Sequence, residues 1–344
     1  PWVSFFKISF PMALPALITG VTLMCMEVMN ELGTVELLNI PSISTGITEN
    51  WIVEGNPKGA IGLSLIALII VFTLIIFEKF SRRKTKRWSE NPATIDSQGW
   101  ELKKYRSFLA IVLTLFPPLF SIGIPIFWFL FNIDQVQKGF NTELLVLTTR
   151  TIILGITASF LAIIFSLIIS LANRWNKNFI LRFFTYSAGI GYAIPGTVLA
   201  ISLITISNPK FHFLAIVLLL WGYIVRFLTI SKGTIDSGLE RISPNLDEAA
   251  KGLGANKTNV IKKIHIPLLK GPIFVGSLLV FVDTIKELPL TFILRPFDFD
   301  TLSVRIYQYA GDERMAEALL PAIFITLLGL IASTTLIPSL EKKD

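Results

Sequence analysis

Four carboxylates stand in or at the ends of apolar stretches of this chain: Glu27 and Glu31, then Asp283 and Glu287. Each pair is four residues apart, so on a helix its two members share one face. An ionisable group left in lipid is expensive, which makes such residues functional candidates by default. Converging near the outer mouth of a pathway, the four would offer hard oxygen ligands suited to a highly charged cation. Structural duty is the competing reading: Lys286, three residues from Asp283, can neutralise it, and Glu31 and Glu287 can bond loop backbone. Other chemistry is scarce. One cysteine, Cys25, and two histidines, His212 and His265, make no disulfide framework, zinc cluster or Cys–His pair. Met24, Met26 and Met29 surround Cys25 as a soft-metal relay would, but adaptable packing is the commoner use of methionine in a helix. No nucleophile–base set is visible, so the sequence predicts no catalytic residue, no resident metal and no cofactor bound by this chain.

The elements that carry these residues are apolar. Of the 344 residues, 52% are hydrophobic and 16% charged, with a mean hydropathy of +0.65. Soluble chains carry about 25% charged residues, and a membrane-crossing helix needs about 20 mostly apolar ones. Eight stretches meet that length: 12–30, 59–77, 107–131, 146–171, 179–206, 211–231, 269–289 and 319–338. The fifth is interrupted by Pro195-Gly196, as a kink or a cavity-lining break. The expectation is an all-α, polytopic membrane protein with about eight transmembrane helices. If residue 1 starts on the cytoplasmic side, 22 of the 31 basic residues fall on cytoplasmic pieces, so the positive-inside rule places both ends of the chain there. The net charge of +7 sits beside apolar runs, which points to the lipid bilayer and to no nucleic-acid partner.

A shift of 256 residues lays the chain on itself. Ile8 then falls on Ile264, Pro11 on Pro267, Gly20 on Gly276, Glu31 on Glu287, Leu32 on Leu288 and Thr45 on Thr301, while Glu27 meets Asp283. Charged and Pro/Gly coincidences at one offset are costly by chance, and such self-similarity reads as an internal repeat. The division that follows is 1–79 as the C-terminal part of a first repeat, 80–106 as a basic cytoplasmic linker, and 107–344 as a complete second repeat. Residues 1–11 lack the features of a secretory signal and the chain does not begin with Met, so its front end is expected to be absent.

The polar loop 241–270 follows the sixth run. Ser243-Pro244 opens a helix, since proline fits a first turn, and Asp247 and Glu248 favour its positive end. Gly252 and Gly254 end it, a second helix runs from about Lys257 to Ile264, and Pro267 resets the backbone. The result is a two-helix knob around a glycine elbow.

Glu248-Ala249-Ala250, Gly254, and Ile264-x-Ile266-Pro267 at these spacings resemble the EAA loop of ABC-importer permeases. Tyr192 to Ala200, Lys286-Glu287-Leu288-Pro289 and Arg295 to Leu302 are similar to the second half of fused ferric-iron permeases. Asn30 to Val35 with Thr45-Gly46-Ile47 is similar to their first half, and Ile8 and Pro11 then match the end of a first EAA loop. Arg150-Thr151 departs from the Asn-Thr usual in that family. The resemblance implies a type I ABC importer permease fold, N-terminally incomplete. It also implies a transport subunit rather than an enzyme, set in a bacterial inner membrane. Two copies of a cytoplasmic ABC ATPase would grip the loops at Glu248, Ala249, Ala250, Gly254, Ile264, Pro267, Ile8 and Pro11. A periplasmic solute-binding protein would meet the outer segments 32–58 and 290–318. The sequence holds no G-x-x-x-x-G-K-[ST] loop, so ATP would be used by the partner. Ferric iron is the expected cargo, with thiamine, a polyamine, sulfate or a phosphonate on the same machinery as alternatives, and a secondary transporter as the competing class.

Overall fold

The computed structural model describes residues 2–83, 102, 104–134, 140–176, 178–207 and 212–341, and among them the chain is helical with no strand. In chain order the principal helices are α1 (Phe10–Asn30), α2 (Gly33–Leu37), α3 (Ile43–Thr48), α4 (Pro57–Arg83), α5 (Tyr105–Phe131), α6 (Thr142–Trp175), α7 (Phe179–Ser187) and α8 (Gly196–Ser207). They continue with α9 (His212–Glu240), α10 (Pro244–Gly252), α11 (Lys257–Val260), α12 (Lys270–Lys286), α13 (Pro289–Leu294), α14 (Leu302–Gly311) and α15 (Met315–Glu341). Five straight stretches are long and apolar enough to cross a bilayer, on α4, α5, α6, α9 and α15. Counting two bent pairs as spans raises the number to seven, so the figure of eight is approximate. The remaining expected run, 12–30, lies on the 21-residue helix α1.

Packing explains which helices sit inside. The core joins α6, α9 and α12 with α8 and α13, through Leu154, Ala158, Ala162, Leu219, Phe227 and Val280. Small residues let these backbones approach, the usual means of association where lipid is as apolar as leucine. At Gly155 a Cβ would stand 2.8 Å from the Phe281 ring. Hydroxyls add glue: Ser166 Oγ lies 2.5 Å from Ser231 Oγ, and Tyr223 Oη 2.6 Å from Thr291 Oγ1. By contrast α5 has no buried residue. It is apolar all round, as a lipid-facing helix is.

Two stretches carry the same succession of elements 256 residues apart. π-Turns run over Phe5–Ser9 and Ile261–His265, and α1 and α12 end at Asn30 and Lys286. Glu31 and Glu287 follow in extended conformation, their N–H groups bonded to Val28 O and Thr284 O. Helices α2 and α13 begin at Gly33 and Pro289, still in step. The register then slips by three residues, because α3 is capped by Ser42 and not by Thr45, the residue aligned with the α14 cap Thr301. Most of the expected basic linker, from 84 to 101, lies outside the described residues.

Candidate functional site

The ends of α1 and α12 meet at a cavity of about 240 Å³ whose polar wall is Glu27, Asn30, Glu31, Lys286, Glu287 and Ser303. Glu27 Oε2 accepts a hydrogen bond from Tyr192 Oη at 3.0 Å, and its Oε1 lies 3.6 Å from Lys286 Nζ. The same ammonium is 3.0 Å from Asp283 Oδ1. Glu31 Oε1 accepts from the Thr34 N–H at 2.9 Å, and Glu287 Oε1 from the Leu290 N–H at 3.2 Å, so both cap the short helix that follows. Three of the four sequence-selected carboxylates therefore line one cavity, and Asp283 reaches it through Lys286. Among the described residues, no three His, Cys, Asp or Glu side chains group closely enough to hold a metal ion. His212 and His265 are not brought to this cavity.

Behind the wall lies a residue that sequence reasoning left without a partner. Arg226 on α9 is 2% exposed, and its Nη1 donates to Glu287 Oε1 at 2.9 Å and to Asn30 Oδ1 at 2.8 Å. Asn30 Oδ1 also accepts from the Gly196 N–H at 2.6 Å. The available signal was a lone arginine in the apolar run 211–231, which in lipid must find a counter-charge. Gly196 opens α8 after a 117° break from the Phe179–Ala193 segment. The break has two causes. Pro195 has no N–H to continue a helix, and Gly191 lies so close to α9 that a Cβ there would stand 1.8 Å from Val225 O. A Cβ at Gly196 would meet Arg226 Nη1 at 2.6 Å and Glu287 Oε1 at 2.8 Å, so a side chain there would displace the tips of this ion pair.

At the elbow, the Ser243 side chain accepts from Asn245 N–H and Asn256 from Asn259 N–H, starting α10 and α11. Gly254 turns the chain with φ +78°, a left-handed conformation that glycine adopts without a Cβ penalty. The expected second helix, 257–264, is a four-residue helix followed by a π-turn. The sharp 72° bend comes after Pro267, between Leu268 and Lys270. Glu248, Ala249, Gly254 and Pro267 are exposed, Ala250 is buried and Ile264 half-buried, while Ile8 and Pro11 lie exposed at the start of the chain. Leu253, beside the turn, is 89% exposed.

The elbow is braced from below. Arg174 Nε donates to Asp247 Oδ2 at 2.9 Å, and its Nη atoms donate to Leu239 O and Ile242 O, both at 2.9 Å. Trp175 Nε1 donates to the same Asp247 oxygen at 3.1 Å, and the fully buried His265 places Nε2 3.1 Å from Asp247 Oδ1. Burial alone would raise the Asp247 carboxyl. The Arg174 and Trp175 hydrogen bonds, with the His265 and Arg174 charges, hold it below the usual carboxylate range. Burial pushes the His265 imidazole down, and Arg174 adds to this against the pull of Asp247. At neutral pH the brace therefore holds an ionised Asp247 and a neutral His265.

On the other loop face, Arg150 Nη1 donates to Asp298 O at 2.8 Å and its guanidinium lies 5.1 Å from the Phe299 ring centre. Thr151 Oγ1 accepts from the Leu302 N–H at 3.0 Å. The Arg150-Thr151 pair thus anchors the segment Arg295 to Leu302 against α6. Arg295 and Arg305 both pair with Asp300, at 2.7 and 3.2 Å.

Residues 162–343 match the family described as binding-protein-dependent transport system inner membrane component. The Fe(3+)-transport system permease protein FbpB 2 of Haemophilus influenzae (strain ATCC 51907 / DSM 11121 / KW20 / Rd) is 23% identical over 339 residues, or 95% of this chain. The chain spans 66% of that relative's length. A solved bacterial ABC transporter involved in the import of the acidic polysaccharide alginate aligns with 70% of this chain and 100% of its own, at 17% identity and a TM-score of 0.43.

Proposed function

This chain belongs to the binding-protein-dependent transport system inner membrane components, and on that premise we propose that it forms the membrane pathway of an ATP-driven importer for ferric iron. The observation that carries the proposal is the braced elbow. It presents Glu248, Ala249, Leu253 and Gly254 to solvent on a support made by the Arg174–Asp247 ion pair and the buried His265. Such a knob suits a cleft on a separate ATPase, and the sequence carries no phosphate loop of its own. Two ATPase copies follow from two loops: the elbow at 241–270 and, in step with its end by 256 residues, the stretch bearing Ile8 and Pro11. When nucleotide closes the ATPases, the elbows are drawn together and the pathway turns outward to receive iron from a periplasmic binding protein seated on 32–58 and 290–318. In this reading 1–79 and 107–344 are the two repeats, joined by the basic linker 80–106. Both ends face the cytoplasm, and the chain is a transport subunit that binds no cofactor.

The iron assignment is supported by the named relative and by charge. Glu27, Glu31, Asp283 and Glu287 outnumber Lys286 and Arg226 around the cavity, which disfavours sulfate or phosphonate there. Co-purification of the full natural permease with a co-expressed ABC ATPase from the same source tests the partner. The unmodified protein is expected to retain the ATPase through detergent washing, and Glu248→Lys with Leu253→Asp to lose it at an unchanged melting temperature. Equal retention by the variant would remove the elbow from the interface.

A further inference from the structure

Two cationic side chains of the second half, Arg226 and Lys286, contact the α1 end, and the two contacts differ in kind. The inner one is Arg226, which ties Asn30 to Glu287 behind the cavity wall and is nearly closed to solvent: Arg226 is 2% and Glu287 5% exposed. The outer one is Lys286 to Glu27, at 3.6 Å, with the two side chains 49% and 44% exposed. Breaking the inner contact leaves an Arg226 N–H without its acceptor in an apolar interior, although Glu287 still balances the charge. Breaking the outer one costs little, because water replaces each partner and Lys286 keeps Asp283.

The 256-residue offset sharpens the contrast, since Asn30 and Lys286 occupy matching positions. One supplies an amide to the sealed contact, and the other an ammonium to the open one. Tyr192, on the turn just before the 117° break, bonds the second oxygen of Glu27, so this contact also reports the position of the broken segment.

We propose that Lys286 and Glu27 are positioning residues that form a breakable latch across the cavity, and that Arg226 with Asn30 and Glu287 is the pivot that stays made when the latch opens. The idea rests on the transport reading for its purpose, because a pathway must separate along one plane and hold along another. The geometry places the separable plane on the exposed pair. Lys286 thus holds the cavity closed until cargo or the ATPases draw α1 and α12 apart.

The test uses the full natural permease in lipid nanodiscs, without ATPase or cargo. Cys25 is replaced by serine, and spin labels are placed at Leu23 and Leu279. Both are exposed, on α1 and α12, at matching positions. Electron–electron double resonance is then expected to show a second, longer-distance population displaced by about 5 Å. That population should rise about fivefold in Glu27→Gln and in Lys286→Gln. The double variant should equal either single, because both remove one contact, and Lys286→Arg should behave like the parent. Unchanged distances in the singles, or summed effects in the double, would overturn the latch while leaving the transport proposal standing. An opened latch in a permease that never retains an ATPase would sustain the latch and remove the transport proposal.

Discussion

Arg226 and Glu287 are so enclosed that each depends on the other. Arg226→Met strands the Glu287 charge and should cost about 3–5 kcal/mol, whereas Arg226→Met with Glu287→Met replaces both charges by apolar bulk and should recover most of it. Chemical unfolding in detergent reads both, and equal losses in the single and the double would contradict the pairing. The elbow brace gives a pH prediction. Folding holds both Asp247 and His265 below their ordinary values, so the unfolded chain binds more protons and stability rises with pH. The His265 share is complete above about 6.5 and falls away as pH drops through that value towards the lower folded one, and the Asp247 share follows below about 3.9. The protection of 244–252 against hydrogen exchange, taken relative to the intrinsic rate at each pH, should therefore fall from pH 7.5 to about 5.5, and His265→Gln should flatten that change. An equal slope in the variant would show that His265 is not the group involved. At this scale the sequence showed the carboxylates and their local partners, Lys286 for Asp283 and loop N–H groups for Glu31 and Glu287, and hid the distant ones. Spacing reveals that Glu27 and Glu31 share a face, but Tyr192 is 165 positions from Glu27 and Arg226 is 196 from Asn30. Local periodicity carries no information over such separations.

Helices were more legible than sites. The apolar runs fall on α1, α4, α5, α6, α9, α12 and α15, because twenty apolar residues have few other stable forms in lipid. The run 179–206 differs, since Pro195 and the close approach of Gly191 to Val225 O fold it by 117°. An interruption is visible in Pro195-Gly196, but the angle depends on a neighbour, α9, that the run itself does not specify. Gly191→Ala should accordingly destabilise the permease by at least about 2 kcal/mol, because the clash is with backbone and no side chain can yield. A thermal midpoint within a degree or so of the parent would contradict that contact. At the elbow, Gly252 and Gly254 mark the helix end and the turn as expected. The bend into α12 is displaced past Pro267 because this proline occupies a first-turn position, where it fits without breaking the chain.

The whole molecule joins an apolar helical part whose polar groups are paired across long separations to a two-helix knob whose apolar tip, Leu253, is 89% exposed among the described residues. Around the cavity the carboxylates outnumber Lys286 and Arg226, and the elbow at the far end is braced by Arg174 and Asp247. On the proposed reading, a separate ATPase acting through this elbow drives ferric iron across the membrane. Radiolabelled iron uptake into proteoliposomes holding the full natural permease, its ATPase and its binding protein tests it most directly, with the parent and Gly254→Val compared at equal incorporation. The account predicts uptake that requires ATP and is lost in Gly254→Val, whose side chain cannot take the left-handed turn without strain; iron uptake that proceeds without the ATPase, or at the parental rate in the variant, would contradict it.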